Sequence, residues 1–200
     1  MAGHKRRKKI RRCTLRTKKL MLRFLGYTIV KDILVFLLLL GIFYFAFMGS
    51  LTLVFRTSSF WMAVTSGSME HNGEAWRDYY TTRGENSYRF PIQGGFEKGD
   101  LLIVQGVNSV SEIAVGDVLI IDRGPDVIPL THRVVEIWEE NGEVRLKTKG
   151  DANSQSYEYF YEEGRRVSGD YPISPNQILG KVVFVIPKLG IIPLWFQGKW

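Results

Sequence analysis

The 200-residue chain predicts a mostly β domain carried on one N-terminal transmembrane helix, on three observations. Ile33 to Phe55 is an unbroken run of 23 uncharged residues. Beyond it, short Val- and Ile-rich runs alternate with turn-forming residues. Before Asp32, the chain is basic and carries no acid.

Twelve Lys and Arg precede Asp32, and the remaining fifteen face twenty Asp and Glu. The net charge of +7 therefore belongs to the tail, and the rest of the chain is mildly acidic. Residues 1–32 read as a basic tail. A basic run also suits nucleic acid. This one ends at an apolar segment, where Lys and Arg mark the cytoplasmic side of a membrane, so nucleic acid is not the expected partner. Residues 33–55 exceed the about 20 residues a helix needs to span a bilayer. They also exceed the ~7–15-residue apolar core of a cleaved leader. A helix buried in a soluble core would rarely be apolar on every face. The tail is therefore expected in the cytoplasm, residues 56–200 outside or in a lumen, and the lipid bilayer as a partner. Cys13 lies in the tail, which leaves residues 56–200 without a disulfide or a thiolate nucleophile. Three histidines without a cysteine partner argue against structural zinc. No cofactor is expected.

Within 56–200 the strand-like runs are "WMAV" at Trp61, "LLIV" at Leu101, "VLII" at Val118, "HRVVEIW" at His132, "EVRLKT" at Glu143 and "KVVFVI" at Lys181. Asn141-Gly142 joins two of them as a hairpin turn. Gly99-Asp100 and Gly116-Asp117 each precede a run. No further amphipathic helix is evident. Residues 70–98 carry Trp76, Tyr79, Tyr80, Tyr88 and Phe90, and read either as an insertion or flap with a function of its own or as a surface excursion packing its own aromatics. The closing stretch "VIPKLGIIPLWFQGKW" is apolar but broken by Pro187 and Pro193. It suits either a headgroup-level position, where Trp is favoured, or packing against the domain.

The stretch "TSGSME", Thr65 to Glu70, places two serines around a glycine. A serine needs a base within hydrogen-bond reach and donors for the oxyanion that forms. A glycine lets the backbone approach a substrate. The histidines beyond the apolar run are His71 and His132. His132 starts a strand-like run, where a side chain is held firmly; a lone histidine there suits a structural role as well as a base. Asp151 follows the strand that the Asn141-Gly142 turn returns beside His132, and is the candidate for orienting the imidazole.

Ser66-Gly67-Ser68-Met69-Glu70, Gly99-Asp100-Leu101-Leu102, Thr131-His132-Arg133-Val134 and Lys149-Gly150-Asp151-Ala152-Asn153 occur in the order seen in type I signal peptidases. The chain resembles their endoplasmic-reticulum and archaeal branch, in which histidine stands where the bacterial enzymes use lysine. Gly180-Lys181-Val182 and the following "VIPKLGII" resemble that family's last segment. The likeness covers roughly residues 60–194 and the anchor before them. It implies a signal-peptidase-like β-rich catalytic domain and a membrane-bound serine endopeptidase that removes signal peptides from exported preproteins, in company with a secretion translocon. By resemblance Ser68 is the nucleophile, Ser66 helps the oxyanion hole, His132 is the base, and Asp151 matches the Gly-Asp-x-Asn aspartate. No metal is implied.

The chain departs from the family in three places. His71 stands where proline usually follows "SGSME". The gap from Met69 to Gly99 is longer. Tyr157 occupies the position six beyond Asp151 where this branch often carries a second aspartate. Asp151 is the favoured acid, with Glu158, Glu162, Glu163 and Asp170 as alternatives. The contrasting expectation is a non-catalytic, membrane-anchored subunit that binds peptides or scaffolds a secretion complex; the presence of both Ser68 and His132 favours the enzyme.

Overall fold

The structure is a computed structural model. It describes the backbone of residues 2–125, 127–153, 158–162, 165–169 and 172–199, and the side chains of 26–125, 127–153 and 172–199. Two compact units divide the chain at Ser50 and Leu51. The first is the greater part of a single helix, α1 (Ala2–Phe55). Gly26–Phe55 is long and apolar enough to cross a membrane, with a mean hydropathy of 2.5 and no burial. The uncharged run 33–55 lies within this helix, preceded in it by Lys31 and Asp32.

The second unit is built on a six-stranded antiparallel sheet. Its strands are β1 (Trp61–Ala63), β2 (Leu101–Gln105), β3 (Val118–Ile121), β4 (Leu130–Glu140), β5 (Glu143–Lys149) and β8 (Ile178–Ile186), in the order β1-β2-β8-β3-β4-β5. These are the six runs expected from sequence. Between β5 and β8 lies a separate hairpin, β6 (Glu158–Glu162) with β7 (Arg165–Gly169), which the sequence reading did not anticipate. Two short helices were also not anticipated, α2 (Ala75–Thr81) and α3 (Ile191–Phe196).

Alternation explains the core. Successive residues of a strand face opposite sides of the sheet. In β3, Val118 and Ile120 join Val64, Met69, Phe96, Leu102, Val104 and Val182, while Leu119 and Ile121 join Ile113, Val134, Leu146 and Ile173. Both faces of β3 are thus covered, which accounts for a run without polar alternation. Asn141 and Gly142 take φ of 55° and 81°, the left-handed pair that a tight hairpin turn requires, and so set the pairing of β4 with β5. A bulge between Val134 and Glu136 adds a residue to β4. Val134 lies in the second cluster, and Val135 packs with Trp76, Tyr80 and Phe90.

Those aromatics come from residues 70–98. The segment packs its rings onto the sheet, with Tyr80 and Phe90 edge-on at 5.0 Å, and returns through a hydrogen bond from Phe96 N–H to the Met69 carbonyl. In α3 Leu194 is buried, as packing against the domain requires, whereas Ile192, Trp195 and Phe196 are exposed.

Candidate active site

The Ser66–His71 segment leaves β1 and turns at once, with Glu70 N–H donating to the Gly67 carbonyl at 3.1 Å. Met69 is 1% exposed and belongs to the first core cluster. That buried side chain fixes the residue before it, Ser68, at the protein surface. The Ser66 and Ser68 hydroxyl oxygens lie 3.4 Å apart.

His132 is buried near the start of β4. It and Ser68 meet at the turn that follows β5. A methyl group on Gly150 would stand 2.6 Å from the Ser68 carbonyl oxygen and 3.0 Å from His132 Nε2. The bare backbone of Gly150 is therefore what allows the Ser68 segment and the His132 imidazole to share one turn. Ala152 N–H fastens that turn to the Ser68 carbonyl at 3.0 Å, and Asp151 N–H approaches Met69 Sδ at 3.4 Å.

The sequence placed Asp151 beside β4, and the register does so: Lys149 pairs with Arg133 across the two strands. Among the described contacts the Asp151 carboxylate meets Arg133 and His71. Arg133 reaches it with Nη2 at 2.7 Å and with Nε at 3.1 Å to both oxygens, and both side chains have no exposure. His71 Nε2 lies 2.7 Å from Oδ2. Burial by itself would push the Asp151 pKa up, but the hydrogen bonds from His71 and Arg133 and the guanidinium charge outweigh it and hold the carboxyl below its ordinary value. Arg133 also donates to the carbonyls of Gly116 and Ile92 at 2.9 Å. Lys149 is buried close by, its ammonium donating to the Gly150 carbonyl at 3.0 Å; desolvation pushes its pKa down against the opposing pull of Asp151. Of the alternative acids, Glu163 and Asp170 lie outside the described residues, as do the side chains of Glu158 and Glu162.

Beside Ser68 opens a cavity of ≈ 570 Å³, walled by Trp61, Ala63, Ser66, Leu130 and Leu194 among others. Strand β1 borders it and is an edge strand, paired with β2 on one side. Its other side offers main-chain donors and acceptors to an extended peptide.

Sequence reading did not assign His71 or Arg133 to the site. The signal available for Arg133 was its place next to the motif histidine. For His71 it was the substitution of a titratable ring for the family's proline.

Fold and site together define a β domain behind an apolar helix, with a serine and a histidine converging on one turn beside an open groove. No family model matches the chain. Curated relatives do. The signal peptidase complex catalytic subunit SEC11 of Colletotrichum graminicola is 32% identical over 103 residues, covering 52% of this chain and 57% of the relative. Those of Neurospora crassa and Metarhizium acridum are each 33% identical over 104 residues with the same coverage. The chain thus spans about half the length of the curated relatives it matches. Over that stretch it is similar to these signal peptidase complex catalytic subunits.

Proposed function

We propose that this chain is a membrane-bound serine endopeptidase that cleaves signal peptides from exported preproteins, working as the catalytic subunit of a signal peptidase complex. The observation that carries the reading is the convergence of Ser68 and His132 on Gly150 at the mouth of a groove bordered by a free strand edge. The relatives' names supply the complex and the substrate class.

In this reading the substrate lies extended along β1, with its small residues one and three positions before the cut in the groove. Ser68 Oγ attacks the scissile carbonyl carbon while His132 takes its proton. The oxyanion is stabilised by the Ser68 N–H and the Ser66 hydroxyl. His132 then protonates the leaving amine, and water, activated by the same imidazole, hydrolyses the acyl-enzyme. Asp151 serves as a positioning residue: through Arg133 and His71 it holds the turn that base and nucleophile share. The tail is cytoplasmic, and the β domain lies on the opposite side of the membrane. No step calls for a metal or cofactor.

The test is cleavage of a model preprotein by the full chain in detergent, supplied with any partner subunits. Ser68→Ala and His132→Ala abolish cleavage while remaining folded, and Ser66→Ala loses about 10²-fold, as for removal of one oxyanion donor. Wild-type rates in Ser68→Ala would overturn the reading. Intact binding of signal peptide without cleavage by the wild type would favour the scaffolding subunit instead.

A further inference from the structure

The 70–98 insertion leaves the site at His71 and brings Trp76 back over it. The imidazole of His71 stacks on the Trp76 indole, centroids 4.5 Å apart and planes 22° from parallel. The Arg133 guanidinium lies 4.7 Å from the same indole's centroid. Trp76 is 5% exposed and packs with Tyr80, Phe90 and Val135. The ring of His71 is therefore fixed in orientation by a buried aromatic, and its Nε2 is aimed at Asp151 Oδ2.

That bond has a particular place in the chain. Ser68 is held to the 150–152 turn by the Ala152 N–H on its carbonyl; His71, three residues on, is held to the same turn by the Asp151 carboxylate. The two fastenings make the nucleophile segment and the turn one closed loop. Gly150, against which His132 Nε2 rests, lies within it. Without the second, the described contacts that join the segment to the turn are the Ala152 N–H bond to Ser68 and the Asp151 N–H approach to Met69 Sδ, both at or next to Ser68. With both fastenings, the turn cannot move without breaking a buried, charge-assisted hydrogen bond.

We propose that His71 is a positioning residue for the Ser68–His132 pair, acting through Asp151 and locked by Trp76 of the insertion. The proposal rests on the reading of Ser68 and His132 as nucleophile and base. The donor is Nε2–H, because an ionised carboxylate only accepts: it takes three contacts from Arg133 and a fourth from the imidazole. The insertion then has a definite role: it supplies the aromatic wall against which this donor is held.

The experiment compares His71→Ala, His71→Gln and His71→Asn in the full chain. Glutamine presents an N–H donor at about the reach of His Nε2, and asparagine falls short of it. A loosened turn misplaces reacting groups without removing substrate contacts, so His71→Ala lowers kcat by about tenfold with KM unchanged. His71→Gln recovers most of that loss and His71→Asn does not. In each variant, also in a Ser68→Ala background, the ¹³C resonance of the His132 ring is recorded; it shifts in Ala and Asn and stays in place in Gln. Unchanged kcat in His71→Ala, equal behaviour of Gln and Asn, or an unmoved His132 resonance would overturn the proposal. If His71→Ala fails to fold, the Gln and Asn pair decides. If neither wild type nor Ser68→Ala cleaves, it is the proposed function that falls, and the His132 resonance still decides the role of His71.

Discussion

Arg133 and Asp151 form an ion pair from which water is excluded on both sides, their closest atoms 2.7 Å apart. Arg133 is the residue after the histidine that rests against Gly150, and Asp151 is the residue after Gly150 itself. The pair therefore clamps the strand that carries His132 to the turn that meets Ser68. A buried pair adds little net stability over an apolar replacement, but removing one partner leaves the other charged and unpaired at a cost of about 3–5 kcal/mol. Asp151→Asn and Arg133→Met should each lower the thermal midpoint steeply. The double substitution Arg133→Met, Asp151→Leu should recover part of the loss. Melting followed by tryptophan fluorescence, in detergent, checks this; a double variant no better than the worse single one would argue against the clamp.

The same pair makes stability depend on pH in a defined direction. The Asp151 pKa is lowered in the folded chain, whereas in the unfolded chain it sits near the ordinary value of about 3.9. Its contribution is complete above that value and is lost as pH falls through the folded value. The gap in melting temperature between wild type and Asp151→Asn should be widest near neutral pH and narrow below about pH 4. A gap that widened on acidification would contradict the cited direction.

Two glycines near Ser68 separate cleanly. At Gly150 an added methyl meets the Ser68 main-chain carbonyl at 2.6 Å, which cannot yield without moving the nucleophile. At Gly67 it meets the carboxylate of Glu70, the far end of a flexible side chain. Gly150→Ala should therefore cost at least about 10²-fold in kcat, the order expected for misplaced reacting groups. Gly67→Ala should stay within a few-fold. Steady-state cleavage of a model preprotein measures both, and equal effects at the two positions would remove Gly150 from the site.

Much of this was legible in the sequence, for physical reasons. The β4–β5 hairpin was readable because Asn141-Gly142 demands left-handed φ and the flanking residues are β-branched. Ser68, His132 and Gly150-Asp151 were singled out by resemblance to motifs in a fixed order, and the fold brings the Ser68 segment and His132 to Gly150. The β6–β7 hairpin was not readable, since "RRVSG" carries one apolar residue, Val167, and so shows no alternation to mark a second strand. Helix α2 has seven residues, too few to show a 3.6-residue period. His71 was set aside because it departs from the motif. Its partner stands 80 residues away, and only the fold joins them.

The proposed membrane topology rests on the charge of the tail. Twelve basic residues precede Asp32, and the span follows. In sealed vesicles with the proposed catalytic side outward, added protease should cut within 70–98 and leave the tail intact. Detection uses tags at the N-terminus and after Gly94. A tail digested in sealed vesicles would reverse the orientation and put Ser68 on the wrong side for exported substrates.

The last prediction concerns the acid. A base in a serine protease needs a carboxylate to orient it and to stabilise its imidazolium. Asp151 has its two oxygens on Arg133 and His71, so its charge acts on the site through the turn it holds. Asp151→Asn should then lose activity and stability together, because the loss of charge strands Arg133. A carboxylate bonded directly to His132 would behave otherwise, losing activity with the melting temperature unchanged. Glu158→Gln, Glu162→Gln, Glu163→Gln and Asp170→Asn are assayed beside it for both quantities. If Asp151 is the carboxylate on which the site depends, all four keep activity within about twofold. One inactive but fully stable variant among them would identify the direct partner of the imidazole. Asp151 would then remain as the anchor of the frame, and its asparagine variant, rescued in stability by Arg133→Met, should regain activity to the extent that the turn is restored.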